Sequence, residues 1–390
     1  MIARMLNLSA LKNSIFLFGP RQTGKTSLIS NTLQPDLFIN LLDYDSFMRY
    51  STDHSLLVKE VDRLTKGHAL VVIDEIQKCP DLLNSVHLLM EQKKKVKFIL
   101  TGSSARKLRK AGVNLLGGRA ITAHLYPLIQ NELKDLFILD DVLHYGSLPK
   151  IYLENNLPEK IRLLKSYVDT YLREEIAQEA IVRNLPAFTR FLEFAADENG
   201  NILNFQKIAR EIGIHSKTIK EYFQILEDTL IGKMLYPYKK LSRRRLISHP
   251  KFYFFDCGIV TALKRGLQKE LIKSSAEYGR AFEHWAFLEL TAAIDYYEIE
   301  ASVYFYRTAD GAEVDFIIEK GDELWAVEAK ASQHPDLASL RGLKGFLKEN
   351  PKAKAVCLCT TPRPYADSKI EFISCRDFIL FLKGGEHKLG

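Results

Sequence analysis

The feature that most constrains this chain is the run GPRQTGKT, which spans residues 19–26. It follows the apolar run Ile15–Phe18 and precedes residues suited to a helix. The spacing G-x-x-x-x-G-K-T between a strand and a helix is typical of a phosphate-binding loop. Gly19 and Gly24 let the backbone approach an anion closely, and the amides at the start of a helix favour negative charge. The run therefore predicts a nucleotide-binding domain at the start of the chain.

The side chains of this loop predict a site for ATP and Mg²⁺. Lys25, which we also take as a catalytic residue, would reach the β and γ phosphates. Thr26 would offer its hydroxyl to Mg²⁺. The predicted ATP-binding residues are Gly19, Pro20, Arg21, Gln22, Thr23, Gly24, Lys25, Thr26 and Ser27.

A pair of acidic residues, which follows about 50 residues after the loop, is a second sign of a nucleotide site. Ala69–Ile73 is a continuous apolar run that ends in Asp74 and Glu75, as expected for a buried parallel strand whose carboxyl end lies at a site. Asp74 would hold Mg²⁺, directly or through water, and Glu75 would act as general base toward the attacking water. The alternative is a strand that ends in a solvated acidic turn.

Two further residues are candidates for catalysis. Ser103 follows the predicted strand Val96–Leu100, where it would sense the γ phosphate or orient water, with Thr101 and Ser104 as alternatives. A plain turn is the competing interpretation of this segment. Arg119 follows Gly117-Gly118 and would stabilise phosphate charge, in its own subunit or in a neighbour. A structural salt bridge is the alternative for Arg119.

Several of these segments resemble a known family. GPRQTGKT, VVIDEIQKCPD, FILTGSSARKL, GGRA and YPLIQNEL follow one another as in predicted prokaryotic ATPases of the AAA+ superfamily that carry a C-terminal domain of unknown function. The resemblance implies an α/β fold of P-loop type, with a five-stranded parallel sheet and helices on both faces. It also implies ATP and Mg²⁺ as cofactors, and oligomers that need not be rings.

The middle of the chain predicts a helical region. We expect the ATPase domain at 1–143, a helical and winged-helix region at 144–250, and a third domain at 251–390. The pattern of residues 203–231 is typical of a helix-turn-helix with its turn at Gly213. A basic cluster lies just beyond it and comprises Lys239, Lys240, Arg243, Arg244 and Arg245. DNA would be contacted by Lys217, Lys220 and the arginines of this cluster. The alternative is a module that only relays the nucleotide state between domains.

The third domain carries a group of acids with one lysine. We expect a strand over residues 252–260, a helix over 276–290 that bears Glu283, and three strands over 303–332. Glu328 and Lys330 lie two apart on a strand and would share a face with Asp315 of its neighbour. Acids that hold Mg²⁺, together with a lysine beside the scissile phosphate, suit phosphodiester hydrolysis.

These residues resemble the PD-(D/E)xK motif of restriction endonucleases. The resemblance implies a restriction-endonuclease-like α/β domain in which Glu283, Asp315, Glu328 and Lys330 form a nuclease site. Two positions depart from the pattern. Val314-Asp315 replaces the usual Pro-Asp pair, and Ala329 replaces the usual valine before the lysine. An inactive domain of this fold, kept as a binding platform, is the alternative.

The composition sets broader limits. The net charge of +7 is compatible with nucleic acid but decides nothing alone. The five cysteines lack C-x-x-C spacing and no run of 18 apolar residues exists, so we expect a cytoplasmic protein that spans no membrane. The predicted function is Mg²⁺-dependent ATP hydrolysis coupled to the later domains, with DNA or a protein as partner. Two alternatives stay open: a nucleotide-gated Mg²⁺-dependent DNA nuclease, and a non-enzymatic ATP-dependent switch.

Overall fold

The protein divides into two compact units. The computed structural model describes residues 2–64, 68–92, 95–104, 119–172, 182, 184–239 and 249–383. The first unit comprises Met1–Leu128 and Gln224–Ile231, and the second comprises Ile129–Phe223 and Gly232–Gly390. The helices that follow Ile129 belong to the second unit, and the predicted domain boundaries at residues 143 and 250 stay a prediction.

A parallel sheet forms the centre of the first unit. Its strands are β1 (Ser14–Phe18), β2 (Leu37–Asn40), β3 (Ala69–Asp74), β4 (Val96–Gly102) and β5 (Ala120–His124). They are ordered β2-β3-β4-β1-β5, and every neighbouring pair is parallel. The five-stranded parallel sheet implied by the resemblance is therefore confirmed.

Helices cover both faces of this sheet. They are α1 (Lys25–Thr32), α2 (Tyr44–Thr52), α3 (Ser55–Leu64) and α4 (Leu82–Glu91), with a 3₁₀ turn at Ile76–Lys78. Side chains alternate along β1, so that Ile15 lies in one apolar cluster with Ile29 of α1. Phe16 lies in another with Leu57 of α3 and Val86 of α4. Because the strands are parallel, their carboxyl ends share one edge, and there β1 runs into residues 19–26.

The second unit begins with helices. They are α5 (Gln130–Leu133), α6 (Leu139–Tyr145), α7 (Pro149–Tyr152), α8 (Leu157–Ser166), α9 (Leu185–Asp197), α10 (Phe205–Ile212) and α11 (Ser216–Asp228), whose residues from Gln224 onward belong to the first unit. A 3₁₀ turn follows α5 at Lys134–Leu136, and a π-helical turn follows α8 at Tyr167–Leu172. Gly213 lies between α10 and α11 and ends α10. Its φ of 78° is in the left-handed region, which glycine adopts readily.

A two-stranded hairpin follows this helix pair. Its strands are β6 (Gly232–Leu235) and β7 (Lys251–Phe254), which pair antiparallel. The segment after β6 continues toward the next sheet. The amide of Tyr238 donates to the oxygen of Phe305 at 2.7 Å, and the amide of Phe305 donates to the oxygen of Tyr236 at 3.1 Å. The hairpin is therefore joined by main-chain hydrogen bonds to the strand that contains Phe305.

A six-stranded mixed sheet forms the rest of the second unit. Its strands are β8 (Ala301–Arg307), β9 (Glu313–Lys320), β10 (Glu323–Ala329), β11 (Lys354–Leu358), β12 (Tyr365–Asp367) and β13 (Ile370–Ile373). The order is β12-β13-β11-β10-β9-β8, in which β8, β9 and β10 are antiparallel while β11 is parallel to both β10 and β13. The accompanying helices are α12 (Cys257–Leu263), α13 (Ala276–Tyr296), α14 (Arg341–Glu349) and α15 (Cys375–Leu382), with a 3₁₀ turn at Leu337–Leu340.

The predicted strand over residues 252–260 is wrong in its second half. Strand β7 ends at Phe254, and helix α12 begins at Cys257. The carboxylate of Asp256 accepts a hydrogen bond from the amide of Ile259 at 3.2 Å and so caps the helix. The apolar run from Phe252 to Val260 thus belongs to two elements, and periodicity alone does not separate a buried strand from a buried helix.

Helix α14 packs its backbone directly against strand β9. A Cβ added at Gly342 would lie 1.7 Å from the main-chain oxygen of Glu313. We expect Gly342→Ala to lower the free energy of unfolding by roughly 1–3 kcal/mol, the usual effect of overpacking. Urea denaturation measures this, with Gly345→Ala on the same helix as control, because a Cβ there meets no atom within 4 Å. Equal stability of the two variants would contradict the close approach.

No helix within the described ranges is both long enough and apolar enough to cross a bilayer.

Candidate active site

The loop after β1 contains positive φ angles and a close backbone approach, both of which favour glycine. Gly24, which precedes α1, has φ 93°, and Gln22 has φ 63°. The amide of Gly19 donates to Gly102 of β4 at 3.3 Å, and a Cβ on Gly19 would lie 2.4 Å from the oxygen of Leu125. The loop therefore lies at the carboxyl edge of the sheet, as the motif predicts. Its remaining predicted residues, Pro20, Arg21, Thr23 and Ser27, complete the loop and the first turn of α1.

The ammonium of Lys25 is folded onto this loop. Its Nζ donates to the main-chain oxygens of Gly19 at 2.7 Å and Pro20 at 3.1 Å, and the residue is only 6% exposed. A buried cation beside the loop amides favours the binding of an anion.

Arg4, which lies outside the motif, forms hydrogen bonds that hold the loop in place. Its Nη1 donates to the oxygen of Thr23 and its Nη2 to the oxygen of Tyr126, each at 2.6 Å. Tyr126 follows β5, so the guanidinium joins the loop to the chain beyond the edge strand. The sequence analysis missed this role. The only signal is an arginine within an otherwise apolar start of the chain, which says nothing about its partners.

Asp74 and Thr26 are brought together as predicted for a metal site. The hydroxyl of Thr26 donates to Asp74 Oδ2 at 2.9 Å, and Asp74 is 3% exposed. Thr101 of β4 donates to the other oxygen, Oδ1. A buried carboxylate and a hydroxyl supply the oxygen ligands that Mg²⁺ prefers. The residues present therefore fit a Mg²⁺ ion that would be held by Thr26 and Asp74.

Glu75 lies next to this pair in a strained conformation. Its φ of 60° is uncommon for a residue with a Cβ and typical of functional sites. Its amide donates to Thr101 Oγ1 at 3.1 Å. Gln77 Nε2 donates to the Glu75 carboxylate and, at 3.1 Å, to the hydroxyl of Ser103. Glu75, the predicted general base, and Ser103, the predicted γ-phosphate sensor, are therefore linked through the side-chain amide of Gln77.

Gln77 is a residue that the sequence analysis missed. It is 6% exposed, and its Oε1 has no hydrogen-bond partner among the residues that the structure describes. The available signal was its position two residues after Glu75, in the turn that follows β3. The neighbouring Ser104 is placed differently, because its hydroxyl donates to the oxygen of Asp228, in the same unit, at 3.3 Å.

Arg119 does not lie at the phosphate loop of its own unit. It precedes β5, whose first residue Ala120 pairs with Ser14, the first residue of β1. Because β5 is parallel to β1, Arg119 lies at the opposite edge of the sheet, roughly 16 Å along the strand from His124. It forms an ion pair with Glu91 of α4 at 3.0 Å. The expected position near the strand tips is thus corrected, and a role in a neighbouring subunit stays a prediction.

The predicted C-terminal residues lie near one another in the second unit. Asp315 is on β9, Glu328 is on β10, Lys330 follows β10, and Glu283 is on α13. Lys330 Nζ forms an ion pair with Glu328 Oε1 at 2.8 Å, and Asp315 Oδ2 accepts from the amide of Ala329 at 2.8 Å. Burial, followed by the charges of Glu328 and Glu283, holds the pKa of Asp315 well above its ordinary value.

Two further residues belong to this group and were missed. Lys251, the first residue of β7, donates from Nζ to Glu283 Oε1 at 3.0 Å and to Glu313 Oε1 at 2.8 Å. Tyr253 also donates to Glu283 Oε1, at 2.5 Å. We name the carboxylates Glu283, Glu313, Asp315 and Glu328 the acidic cluster. A lysine at the start of an aromatic strand and a glutamate two residues before Asp315 were the available signals.

Within the described part of the chain, no group of three or more His, Cys, Asp or Glu side chains is placed to hold a metal ion. The residues of the expected nuclease site lie in one region of the second unit, and the site itself stays a prediction.

The predicted DNA-contacting residues are only partly described. Lys217 and Lys220 are exposed on the first half of α11, and Lys239 is exposed after β6. The predicted contacts at Arg243, Arg244 and Arg245, and Lys240 of the basic cluster, lie outside the described residues.

Three sequence families match consecutive parts of the chain. Residues 11–134 match a family described as AAA domain. Residues 136–270 and 278–378 match two families described as domains of unknown function, DUF8612 and DUF4143 respectively. The first match indicates an ATP-binding domain of the AAA ATPase type, in agreement with the loop and with Asp74 and Glu75.

Several uncharacterized proteins are similar to most of this chain at low identity. An uncharacterized protein of Mycobacterium tuberculosis is 24% identical over 327 residues, which cover 83% of this chain and 71% of that protein. An uncharacterized protein of Haemophilus influenzae is 25% identical over 342 residues, 80% of each chain. One of Methanocaldococcus jannaschii is 23% identical over 348 residues, 81% of this chain and 75% of the other.

Proposed function

We propose that this protein is an ATPase in which the first unit hydrolyses ATP with Mg²⁺ and Glu75 acts as general base. The contact between the Thr26 hydroxyl and Asp74, 2.9 Å long, carries the proposal. It supplies oxygen ligands for Mg²⁺ directly behind a loop whose glycines, amides and lysine suit a triphosphate. Glu75 follows Asp74 in the chain, so a base lies beside the metal ligands.

Each site residue of this unit would have a separate role in ATP hydrolysis. Lys25 would exchange its contacts with Gly19 and Pro20 for phosphate oxygens, and the loop amides would bind the same group. Bound Mg²⁺ would neutralise charge on the phosphates. Glu75 would take the proton of the attacking water. Gln77 would hold the Glu75 carboxylate and, through Ser103, connect it to the end of β4.

Phosphate release by the wild type and by Lys25→Ala tests this proposal. We expect kcat/KM to fall at least tenfold in the variant, because a buried cation that contacts the transferred phosphate is removed. Lys59→Ala serves as control, since Lys59 pairs with Asp53 on the surface and its side chain is 61% exposed. Equal release by wild type and Lys25→Ala would reject hydrolysis at this loop. Tight ATP binding without turnover would instead favour the non-enzymatic switch, with a protein as partner.

We also propose that ATP turnover acts on DNA through the helix pair α10–α11, which would form a winged helix with the hairpin β6–β7. Exposed Lys217 and Lys220 near the start of α11 support this. Repeating the phosphate-release assay with DNA over a salt series tests it. Stimulation that weakens with salt would support phosphate contacts. A rate that is unaffected by DNA would leave the pair as a relay between domains.

A nucleotide-gated nuclease is the second candidate function. The motif residues Asp315, Glu328 and Lys330 support it by their proximity, and the buried Glu328 Oε2 lacks a hydrogen-bond partner in the described ranges. Mn²⁺-dependent DNA cutting that is lost in Asp315→Ala and Lys330→Ala would support this function. The contacts of Lys251 weigh against it and lead to the inference below.

A further inference from the structure

We propose that the ammonium of Lys251 is the resident cation of the acidic cluster, and that the folded protein therefore holds no divalent metal there. This inference concerns the second unit alone and does not depend on ATP hydrolysis. It assigns to an internal lysine the position that the resemblance implies for Mg²⁺.

The position of Lys251 follows from the hairpin. Lys251 and Tyr253 lie two apart on β7 and share one face of the strand, so that both reach the same oxygen of Glu283. On the other face, the rings of Phe252 and Phe254 contact each other edge to face. This apolar packing holds β7 in place and fixes where the lysine enters the acidic cluster.

Each carboxylate of the cluster already has at least one partner, and among the described residues Glu328 Oε2 is the only carboxylate oxygen of the cluster that is buried without one. Glu283 Oε1 and Glu313 Oε1 lie 3.0 and 2.8 Å from Lys251 Nζ. Arg307 pairs with Glu313 Oε2 at 2.6 Å, and Lys330 pairs with Glu328. Asp315 accepts a main-chain amide instead. A metal would have to take Glu283 away from the lysine.

Lys251 is itself enclosed. Its side chain is 3% exposed, against 32% for Lys330. A long side chain on a surface strand swings away easily, whereas this one is held between two carboxylates and lies 5.5 Å from the centre of the Phe305 ring. A divalent ion among these acids would face a fixed positive charge at short range. Mutual repulsion and the loss of Glu283 both oppose its binding.

Removing the lysine should therefore create a requirement for another cation. Lys251→Met keeps an unbranched side chain of similar length but leaves Glu283 and Glu313 facing each other without the ammonium. We expect this variant to be less stable than the wild type and to be stabilised by divalent ions. Lys251→Arg retains the charge and should show no such dependence.

The test measures thermal unfolding midpoints of the full chain without nucleotide, at increasing MnCl₂ up to millimolar concentration, with titration calorimetry alongside. We expect Mn²⁺ to raise the midpoint of Lys251→Met by several degrees and to bind that variant at least tenfold more tightly than the wild type. Wild type and Lys251→Arg should show no response from the acidic cluster. Any effect at Asp74 and Thr26 is common to all these proteins and cancels in the comparison.

Lys354→Met is the matched control. Lys354 also begins a strand and pairs with a glutamate, Glu323, at 2.6 Å, but its side chain is 46% exposed. We expect no Mn²⁺ dependence from this substitution. A response equal to that of Lys251→Met would overturn the proposal, because it would be a general effect of losing a lysine.

Two further outcomes would overturn it. One is a folded Lys251→Met variant that Mn²⁺ does not stabilise. The other is a wild type that Mn²⁺ stabilises and whose response disappears in Asp315→Asn, which would make the cluster a metal site as the nuclease function requires. If Lys251→Met does not fold, this wild-type comparison decides alone, and the absence of any response that depends on Asp315 supports the proposal.

Discussion

Glu75→Gln is expected to lower kcat for ATP hydrolysis between about 10²- and 10⁴-fold while ATP still binds. Glutamine has nearly the same shape as glutamate but cannot accept a proton from water at neutral pH. The neighbouring Asp74 and Thr26, which we assign to Mg²⁺, are untouched by the substitution. Single-turnover phosphate release separates the chemical step from binding, and fluorescent-nucleotide titration measures the affinity.

The matched control for this prediction is Glu91→Gln. Glu91 ends α4 and pairs with Arg119, and its side chain is 52% exposed. We expect its kcat to equal that of the wild type. A Glu75→Gln variant that still turns over ATP at the wild-type rate would show that another group accepts the proton. Loss of ATP binding in Glu75→Gln would point to a structural effect at the strained turn instead.

Glu289→Gln is expected to remove a large pH dependence of stability. Glu289 on α13 is 3% exposed, and its Oε1 accepts from the amide of Gln130 at 2.8 Å and from Trp285 Nε1 at 3.1 Å. Burial raises the pKa of this carboxyl from 4.5 to about 8. The protonated form is thus favoured by folding. Its contribution to stability is fully present below pH 4.5 and is lost as the pH rises through about 8.

The magnitude follows from the size of this shift. Each pKa unit corresponds to about 1.4 kcal/mol, so the free energy of unfolding of the wild type should fall by roughly 2–5 kcal/mol more than that of the variant across this range. Glutamine can accept the same two hydrogen bonds without charge. Asp256, whose pKa burial raises to about 6, is present in both proteins and cancels.

Urea denaturation near pH 4.5 and again above pH 8 measures the difference. Glu277→Gln, an exposed acid on the same helix, should follow the wild type at both values. Parallel pH profiles for wild type and Glu289→Gln would mean that Glu289 is ionised in the folded protein at neutral pH.

The sequence predicted the nucleotide site better than any other part, because the chemistry there is local. The loop, Lys25 and Thr26 lie within eight residues, and Asp74 ends a strand whose apolar run is unbroken. Parallel strands bring such ends to one edge of the sheet, so the contact between Thr26 and Asp74 follows from the pattern. Gln77 and Arg4 could not be found this way, because their partners are set by side-chain packing.

Other residues were misjudged because sequence spacing does not show direction. Arg119 follows a glycine pair after a strand tip, yet it precedes β5 and therefore lies at the far edge of the sheet. Lys251 stands at the start of an aromatic run and looked like an ordinary strand boundary. Only the pairing of β7 with β6, and the approach of α13, bring it to Glu283.

Strand β7 also affects how the second unit unfolds. Its main chain completes the hairpin, its lysine neutralises acids on α13 and β9, and the segment after β6 is hydrogen-bonded to Phe305 of β8. Neither the hairpin nor the six-stranded sheet retains all its partners when the other is lost. Melting of this region should accordingly be cooperative. A proteolytic cut at residue 250, the predicted domain boundary, would yield fragments with unpaired strand edges rather than two independent folding units.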